Sequence, residues 1–243
     1  MKSLNSPDLA ARSLAALWHP CTQMARAAVT PPLAIARGEG PWLFDLEGRR
    51  YFDANSSWWV NLFGHSDAGI RAAITHQLET LPHVMLAGCT HAPAVELAEK
   101  LSALTGGALG HAFFASDGAS AVEIALKMSF HSWCNRGQAD KREFVCLRNG
   151  YHGETIGALA VTDVAVFRDA YDPLLMRAHI VDSPDARQGP GSEARALADV
   201  AARMSAGKGI ERGPPGLILP RRVHDEASPD VDETPPPIRV PSS

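Results

Sequence analysis

A turn of small residues joins an apolar stretch to a long amphipathic segment in residues 113–133, FFASDGASAVEIALKMSFHSW. The turn occupies residues 116–120, and the helical pattern after it predicts a helix whose first backbone N–H groups have no partner within the helix. Small side chains let an anion approach these groups, and the helix dipole favours negative charge there by about 0.3 to 1 kcal/mol. The pattern therefore predicts a phosphate site at this turn.

The same turn also has a purely structural explanation. Asp117 or Ser120 would cap the helix, and the small residues would permit tight packing of the helix on a sheet. The turn contains neither a P-loop nor a full GxGxxG motif. The turn by itself leaves both explanations open.

Two other kinds of chemistry are weaker alternatives. His131 and Cys134 are one helical turn apart and would form a metal site together with Cys146 or His152. The paired short spacings of zinc sites are missing, however, and buried cysteines usually pack as small apolar side chains. No GxSxG motif is present, which argues against a nucleophilic serine. We expect neither a metal nor a nucleophilic triad.

Composition and charge favour a small-molecule ligand. The chain has 243 residues, of which 45% are hydrophobic, enough to bury one good core or two small ones. A net charge of -4 without a block of like charges argues against nucleic acid and against a membrane surface. No apolar run approaches the roughly 18 residues of a spanning helix, and no signal peptide is recognisable. The four cysteines lack a CxxC pair, so we expect free thiols and a cytoplasmic protein.

The segments that must position the turn alternate between strand and helix patterns. Such alternation predicts an α/β fold with a parallel sheet, whose ligands bind at the carboxyl ends of the strands. The loops 115–120 and 149–153 are both predicted at such ends. The predicted elements are an arm over 1–35 with a short helix that Trp18-His19-Pro20 ends, a hairpin over 41–53, helices over 68–81 and 92–104, a buried strand over 111–115, a helix to Trp133, and a strand over 142–148.

The carboxyl-terminal residues differ in kind from the rest. Eight of the 18 prolines fall in residues 214–243, where no helical or alternating pattern is visible. Such a segment cannot bury enough surface to offset its ordering entropy. We expect it to be disordered.

Four segments together resemble one known family. They are LWHPCTQM (17–24), NSSWWVNLFGH (55–65), ASDGASAVEIALKMSFHSW (115–133) and RNGYHGETIGAL (148–159). In this order they resemble the class III pyridoxal-phosphate aminotransferases, and within them the adenosylmethionine-8-amino-7-oxononanoate aminotransferases of biotin biosynthesis. The resemblance covers residues 14–190.

The resemblance implies an α/β fold of the fold-type I PLP-dependent aminotransferases, truncated to its first part. It implies an N-terminal arm and small-domain segment over 1–66 and a partial cofactor-binding large domain, with the first part of its mixed or parallel sheet, over 67–204. The remaining residues, 205–243, form an atypical tail.

The resemblance also implies the residues of a site for pyridoxal 5'-phosphate. Backbone donors at Gly118 and Ala119 would hold the phosphate. Tyr151 would stack on the pyridine ring and border the substrate, with His152 shaping the same loop, and Trp58 would line the substrate pocket.

Structural alternatives exist for the aromatic residues among these. Tyr151 and His152 would then form a local turn whose ring packs on the sheet and whose histidine hydrogen-bonds nearby. Trp58 would pack in a core, which is what we expect of its neighbour Trp59. Cys21 stands where many family members have a tyrosine, so no role carries over to it.

The family's reaction transfers an amino group from S-adenosylmethionine to 8-amino-7-oxononanoate, which becomes 7,8-diaminononanoate, and the family's enzymes are homodimers. Its Schiff-base lysine and the aspartate on the pyridine nitrogen belong to the second half of the family's chain, and residues 191–243 do not match their surroundings. Lys127, the one lysine near the phosphate turn, is interpreted as a structural partner of Glu123.

We therefore expect a chain truncated after about residue 205 that contains no catalytic residue of its own. Two alternatives remain open: a noncatalytic fragment, and another class III omega-aminotransferase with a different amino acceptor.

Overall fold

The structure is a computed structural model that describes residues 6–206. The chain divides into two compact units, the first ending at His91 and the second beginning at Ala92. The predicted domain boundary between residues 66 and 67 follows the family's pattern and stays a prediction. The expected disorder of the tail concerns residues that, from 207 onward, lie outside the described part of the chain.

Among its described residues, the first unit contains three strands and four helical segments. They are α1 (Ser6–Ala16), a 3-10 turn (Met24–Arg26), β1 (Ile35–Glu39), β2 (Trp42–Asp45), β3 (Arg50–Phe52), α2 (Ser56–Trp59) and α3 (Ala68–Thr80).

In the part of the second unit that the structure describes, residues 92–206, two strands are combined with a larger number of helices. They are α4 (Ala92–Leu104), α5 (Gly118–Asn135), β4 (Phe144–Leu147), α6 (Ile156–Ala160), α7 (Ala165–Arg168), a 3-10 turn (Asp169–Leu174), β5 (Ala178–Val181), a 3-10 turn (Ala186–Gln188) and α8 (Ser192–Ala206). No helix in the described range 6–206 is long and apolar enough to cross a membrane.

An antiparallel three-stranded sheet forms the centre of the first unit. The predicted hairpin is confirmed as β2 and β3, with Trp42 opposite Phe52 and their rings 5.3 Å apart. β1 pairs with β2 on the other side and was not predicted, because its residues IARGE do not alternate clearly between apolar and polar. The short helix in the arm is also confirmed, since α1 ends at Ala16, before the Trp18-His19-Pro20 break.

A buried carboxylate holds the hairpin turn. Asp45, only 3% exposed, accepts hydrogen bonds from the backbone N–H groups of Glu47 and Arg49, from Arg49 Nε at 2.6 Å and from Tyr51 Oη at 2.9 Å. Burial by itself would raise the pKa of the Asp45 carboxyl, but the hydrogen bonds from Arg49 and Tyr51 lower it below its usual value. The charged side chain therefore stays ionised at neutral pH and fixes the turn that joins β2 to β3.

The parallel pairing predicted from the alternating pattern is confirmed in the second unit. β4 pairs with β5 in parallel register, with Cys146 opposite Ile180. Helix α5 packs over this sheet, so that Leu126, Cys146 and Val161 form the buried cluster of the unit. The predicted helices over 68–81 and 92–104 are confirmed as α3 and α4. The helix predicted after the turn 116–120 and up to Trp133 is confirmed as α5, which begins earlier, at Gly118, and ends at Asn135.

One predicted strand is absent. Residues 111–115, HAFFA, adopt no strand, and Phe113 is 71% exposed. An apolar run becomes a buried strand only where a neighbouring strand satisfies its N–H and C=O groups, and no strand among residues 6–206 pairs with this segment. The prediction of a buried strand leading to the phosphate turn was wrong for this structure.

Candidate functional site

Helix α5 begins with a carboxylate cap. Asp117 Oδ1 accepts the Ser120 N–H at 2.8 Å, and Oδ2 accepts the hydroxyls of Ser120 at 2.7 Å and Ser116 at 3.0 Å. The Ser120 N–H, followed by these hydroxyls, lowers the pKa of the Asp117 carboxyl, which is therefore charged at neutral pH. The structural explanation of the turn, a capped helix, is confirmed as far as Asp117 is concerned.

The space beside Gly118 is nonetheless open. A Cβ built on Gly118 would meet no atom within 4 Å. The N–H groups of Gly118 and Ala119 belong to the first turn, where the helix supplies no acceptor. The Ala119 N–H also helps to lower the pKa of the Asp117 carboxyl. An anion can therefore reach backbone donors on the Gly118 side of the cap.

The second predicted loop, residues 149–153, follows the carboxyl end of β4 as expected. Asn149 adopts a left-handed conformation with φ 59° and donates its N–H to Asp163. The His152 N–H donates to the hydroxyl of Thr162, which is 1% exposed and in turn donates to the carbonyl of Ala158. These bonds fix the loop against the buried end of α6.

The structure brings the two loops into direct contact. Gly153 has φ 115°, and a Cβ built there would lie 2.9 Å from the Cα of Ala119 and in collision with its Cβ. Only glycine adopts this conformation readily and allows this approach. The loop that contains Tyr151 and His152 is thus packed on the first turn of α5, next to Gly118.

Tyr151 presents a ring that is 52% exposed. Its ring centroid lies 5.3 Å from that of Phe167, and its hydroxyl donates to Glu154. Its aromatic neighbour thus belongs to α7, and the alternative in which the ring packs on the sheet stays open. His152 is also exposed, and its backbone makes the local hydrogen bond that the alternative described.

Glu123 on α5 makes contacts that the sequence pattern did not reveal. Its Oε1 accepts the N–H of Gly157 at 2.6 Å and that of Ala158 at 3.3 Å, so the carboxylate caps α6. The predicted pairing of Glu123 with Lys127 was therefore wrong, because α6 supplies N–H donors that have no other acceptor. Lys127 itself is an exposed residue on the helix surface, in agreement with a structural role.

Trp58 lies in the first unit, so its position is described separately from that of the two loops. It belongs to α2, a turn in which Ser56, Ser57, Trp58 and Trp59 all have φ between 48° and 73°. Four successive residues other than glycine in this region are unusual, because each costs about 1 to 2 kcal/mol. Both indoles point to solvent, 55% and 78% exposed, and meet edge to face at 6.3 Å. The expectation that Trp59 packs in a core was wrong, since the left-handed turn rotates it outward.

A polar network stabilises this turn. Asp53 Oδ1 accepts the Ser57 N–H at 2.9 Å, while Oδ2 accepts the Ser57 hydroxyl at 2.7 Å and contacts Nε2 of His65 at 2.8 Å. The hydroxyl and N–H of Ser57, and then His65, hold the pKa of Asp53 below its usual value. A shallow cavity of about 190 Å³ adjoins the network and is lined by Pro41, Asp53, Asn61 and His65 among others.

The metal alternative receives no support from the geometry. Among residues 6–206, no group of three or more His, Cys, Asp or Glu side chains is arranged to hold a metal. All four cysteines are free, as expected. Burial raises the pKa of the Cys146 thiol, and the side chain belongs to the apolar cluster under α5.

Comparison with known proteins identifies the class. The profile of the aminotransferase class-III family matches residues 23–208. The chain therefore belongs to this family, and its fold is that of the fold-type I transaminases.

Similar proteins carry a more specific name. The chain is 44% identical over 171 residues to the adenosylmethionine-8-amino-7-oxononanoate aminotransferase of Helicobacter pylori, a match that covers 70% of this chain and 39% of the relative. It is 41% identical over 168 residues to the enzyme of that name from Methanocaldococcus jannaschii, covering 69% of this chain and 36% of the relative. The chain thus spans about two fifths of the length of the curated relatives it matches.

Solved structures of transaminases also match about four fifths of this chain. The structure of the Methanocaldococcus jannaschii enzyme aligns with a TM-score of 0.75 at 36% identity, covering 81% of this chain and 44% of that one. An (S)-enantioselective omega-transaminase from Thermomicrobium roseum aligns with a TM-score of 0.76 at 30% identity, covering 84% of this chain and 47% of that one.

Proposed function

We propose that the protein takes part in biotin biosynthesis as a pyridoxal-phosphate-dependent aminotransferase, transferring an amino group from S-adenosylmethionine to 8-amino-7-oxononanoate. The names of the relatives that are 41 to 44% identical support this substrate pair. The observation that carries the proposal is the contact between Gly153 and Ala119, which joins the open start of α5 to the loop with Tyr151. A phosphate site and an exposed aromatic ring side by side suit a flat phosphorylated cofactor.

The residues at this contact fit pyridoxal 5'-phosphate by their donor chemistry. The N–H groups of Gly118 and Ala119 would hold the phosphate, in the open space beside Gly118. Tyr151 would cover the ring, and the bonds from the His152 backbone to Thr162 hold Tyr151 in place. When bound, the cofactor supplies the electron sink for amino-group transfer.

Trp58 would contribute an apolar surface to the substrate site. An indole covers the aliphatic chain of a keto acid and keeps one N–H for a polar contact. Its 55% exposure leaves the ring available for such a contact. Trp58 therefore determines how substrate is bound, whereas the two loops of the second unit hold the cofactor.

We further propose that the protein acts as a cytoplasmic homodimer. The four free thiols fit a reducing compartment. On α3, Ile70, Ile74 and Leu78 follow one another at helical spacing and are 46 to 59% exposed, which suits a surface that a second subunit covers.

The test measures cofactor binding and amino transfer separately. The purified chain, alone and mixed with the carboxyl-terminal half of the Helicobacter pylori relative, is titrated with pyridoxal 5'-phosphate and followed by its visible absorbance. We expect saturable binding, and formation of 7,8-diaminononanoate from S-adenosylmethionine in the mixture, whose mass by light scattering should be that of two paired subunits. Absence of binding in a folded sample would overturn the cofactor site, and transfer only from simple amines would point to an omega-transaminase.

Substitution of the charged cap tests where the phosphate lies. Asp117→Asn keeps a side chain that caps helices as well as aspartate does, but removes the negative charge beside the proposed phosphate. We expect the mixture to bind pyridoxal 5'-phosphate about two- to fivefold more tightly, because the helix dipole and its charges act with about 0.3 to 1 kcal/mol. Asp185→Asn makes the same change at the residue that caps the 3-10 turn Ala186–Gln188, and as the control it should leave the affinity unchanged. Equal affinities in wild type and Asp117→Asn would place the phosphate elsewhere.

A further inference from the structure

We propose that Asp53 is a positioning residue, which acts through the left-handed turn Ser56–Trp59 to set the orientation of Trp58 toward the substrate. The substrate contact of Trp58 rests on the proposed function. The orientation of the indole, in contrast, is a property of the first unit and is measurable without any substrate.

Asp53 holds Ser57 through two hydrogen bonds, an arrangement called the Asp53 clamp below. Its side chain is 6% exposed, and its two oxygens accept both the N–H and the hydroxyl of Ser57, at 2.9 and 2.7 Å. Ser57 has φ 48°, a conformation that its own side chain does not favour. Two charge-assisted hydrogen bonds to the residue next to Trp58 therefore keep the turn in the left-handed region.

His65 fixes the carboxylate from the other side. Its Nε2 lies 2.8 Å from Asp53 Oδ2, and its Nδ1 lies 3.3 Å from Asn61 Nδ2. Both contacts are satisfied when Nε2–H donates to Asp53 and Nδ1 accepts from Asn61. The His65 ring also lies against Gly38 of β1, where a Cβ would come within 2.6 Å of it. Through His65, the Asp53 clamp is thus connected to the antiparallel sheet of the first unit.

The turn has to orient Trp58 because little else does. The indole is 55% exposed, and its aromatic partner among residues 6–206 is Trp59, which is itself 78% exposed. A side chain without a surrounding core takes its direction from the backbone that carries it. When the turn relaxes toward ordinary backbone angles, both indoles change direction and their edge-to-face contact is lost.

The experiment observes the Trp58–Trp59 pair directly. Two indoles at a fixed perpendicular angle give an exciton couplet in circular dichroism, which Trp58→Phe identifies by abolishing it. We expect Asp53→Asn to lose most of the couplet and Ser57→Ala, which removes only the hydroxyl donor, to lose part of it. Asp67→Asn is the matched control: Asp67 caps α3 through the Ile70 N–H in the same unit and does not contact the turn. The control makes the same charge change at a carboxylate of the same unit and should keep the couplet.

Kinetics then separate positioning from general structural damage. In the mixture that transfers amino groups, Asp53→Asn should raise KM for the substrate about tenfold while kcat stays unchanged, and Asp67→Asn should change neither. A couplet that persists in both Asp53→Asn and Ser57→Ala, or one that Asp67→Asn loses equally, would overturn the positioning role. A lost couplet with unchanged KM would instead contradict the substrate contact of Trp58, which belongs to the proposed function.

Discussion

Gly153→Ala is expected to lower the free energy of unfolding by about 3 kcal/mol and to abolish measurable binding of pyridoxal 5'-phosphate. Two effects add. The φ of 115° is nearly restricted to glycine, which costs other residues about 1 to 3 kcal/mol, and the new methyl group would collide with Ala119. Because overpacking costs a further 1 to 3 kcal/mol or so, the loop must move away from α5. That movement separates Tyr151 from the open start of the helix.

Gly137→Ala is the matched control for this substitution. Gly137 also has a positive φ, 72°, but a Cβ there would meet nothing within 4 Å. We expect a loss of only about 1 kcal/mol, from the left-handed backbone alone, and unchanged cofactor binding. Urea unfolding and the absorbance titration measure both quantities. If the two variants lost the same stability, the contact between the loops would not exist in solution.

Glu123→Ala is expected to lower the free energy of unfolding by about 2 kcal/mol, because hydrogen bonds to a charged group contribute roughly 1.5 to 3 kcal/mol. The substitution leaves the N–H groups of Gly157 and Ala158 without an acceptor at the start of α6. The last three residues of α6, Ala158, Leu159 and Ala160, are at most 2% exposed. Water therefore cannot replace the lost acceptor freely, and the amide protons of Gly157 and Ala158 should exchange faster.

Two further variants distinguish the cap from a general effect of removing a glutamate. Glu123→Gln keeps the acceptor oxygen without the charge, and we expect it to retain about half of the stabilisation, since neutral hydrogen bonds contribute roughly half as much as charged ones. Glu99→Ala removes an exposed glutamate of α4 within the same unit and should change stability by less than about 0.5 kcal/mol. Slow exchange at Gly157 in Glu123→Ala would show that the carboxylate is not the cap.

These substitutions act where two loops and a short helix meet, and the sequence showed only part of that arrangement. The small residues 116–120, the helix after them and the turn at 149–153 were each predictable, because local propensity and spacing determine them. The contact of Gly153 with Ala119 and the reach of Glu123 to Gly157 join residues 34 positions apart. Spacing within one element carries no information about such pairs.

The strand predicted over residues 111–115 is an error of another kind, because the sequence predicted an element that the structure lacks. Its apolar residues are those of a buried strand, yet burial depends on a neighbouring strand, and none in the described range 6–206 pairs with it. The left-handed turn at Ser56–Trp59 was not predictable from the sequence either, because serine and tryptophan do not favour a positive φ. Asp53, four residues before Ser57, was the available signal for it.

The sequence by itself determined the helices α3, α4 and α5, the hairpin around Asp45, the parallel pairing and, through four motifs, the family. Those features depend on neighbours along the chain or on residue types at fixed spacing. The tertiary structure decided which residues meet: Gly153 with Ala119, Glu123 with the start of α6, and Asp53 with the turn of Trp58. Such contacts depend on the packing of segments that are distant in the sequence. A carboxylate accepts an unpaired N–H, and a glycine allows a neighbouring backbone to approach, only when the two segments lie close together in space.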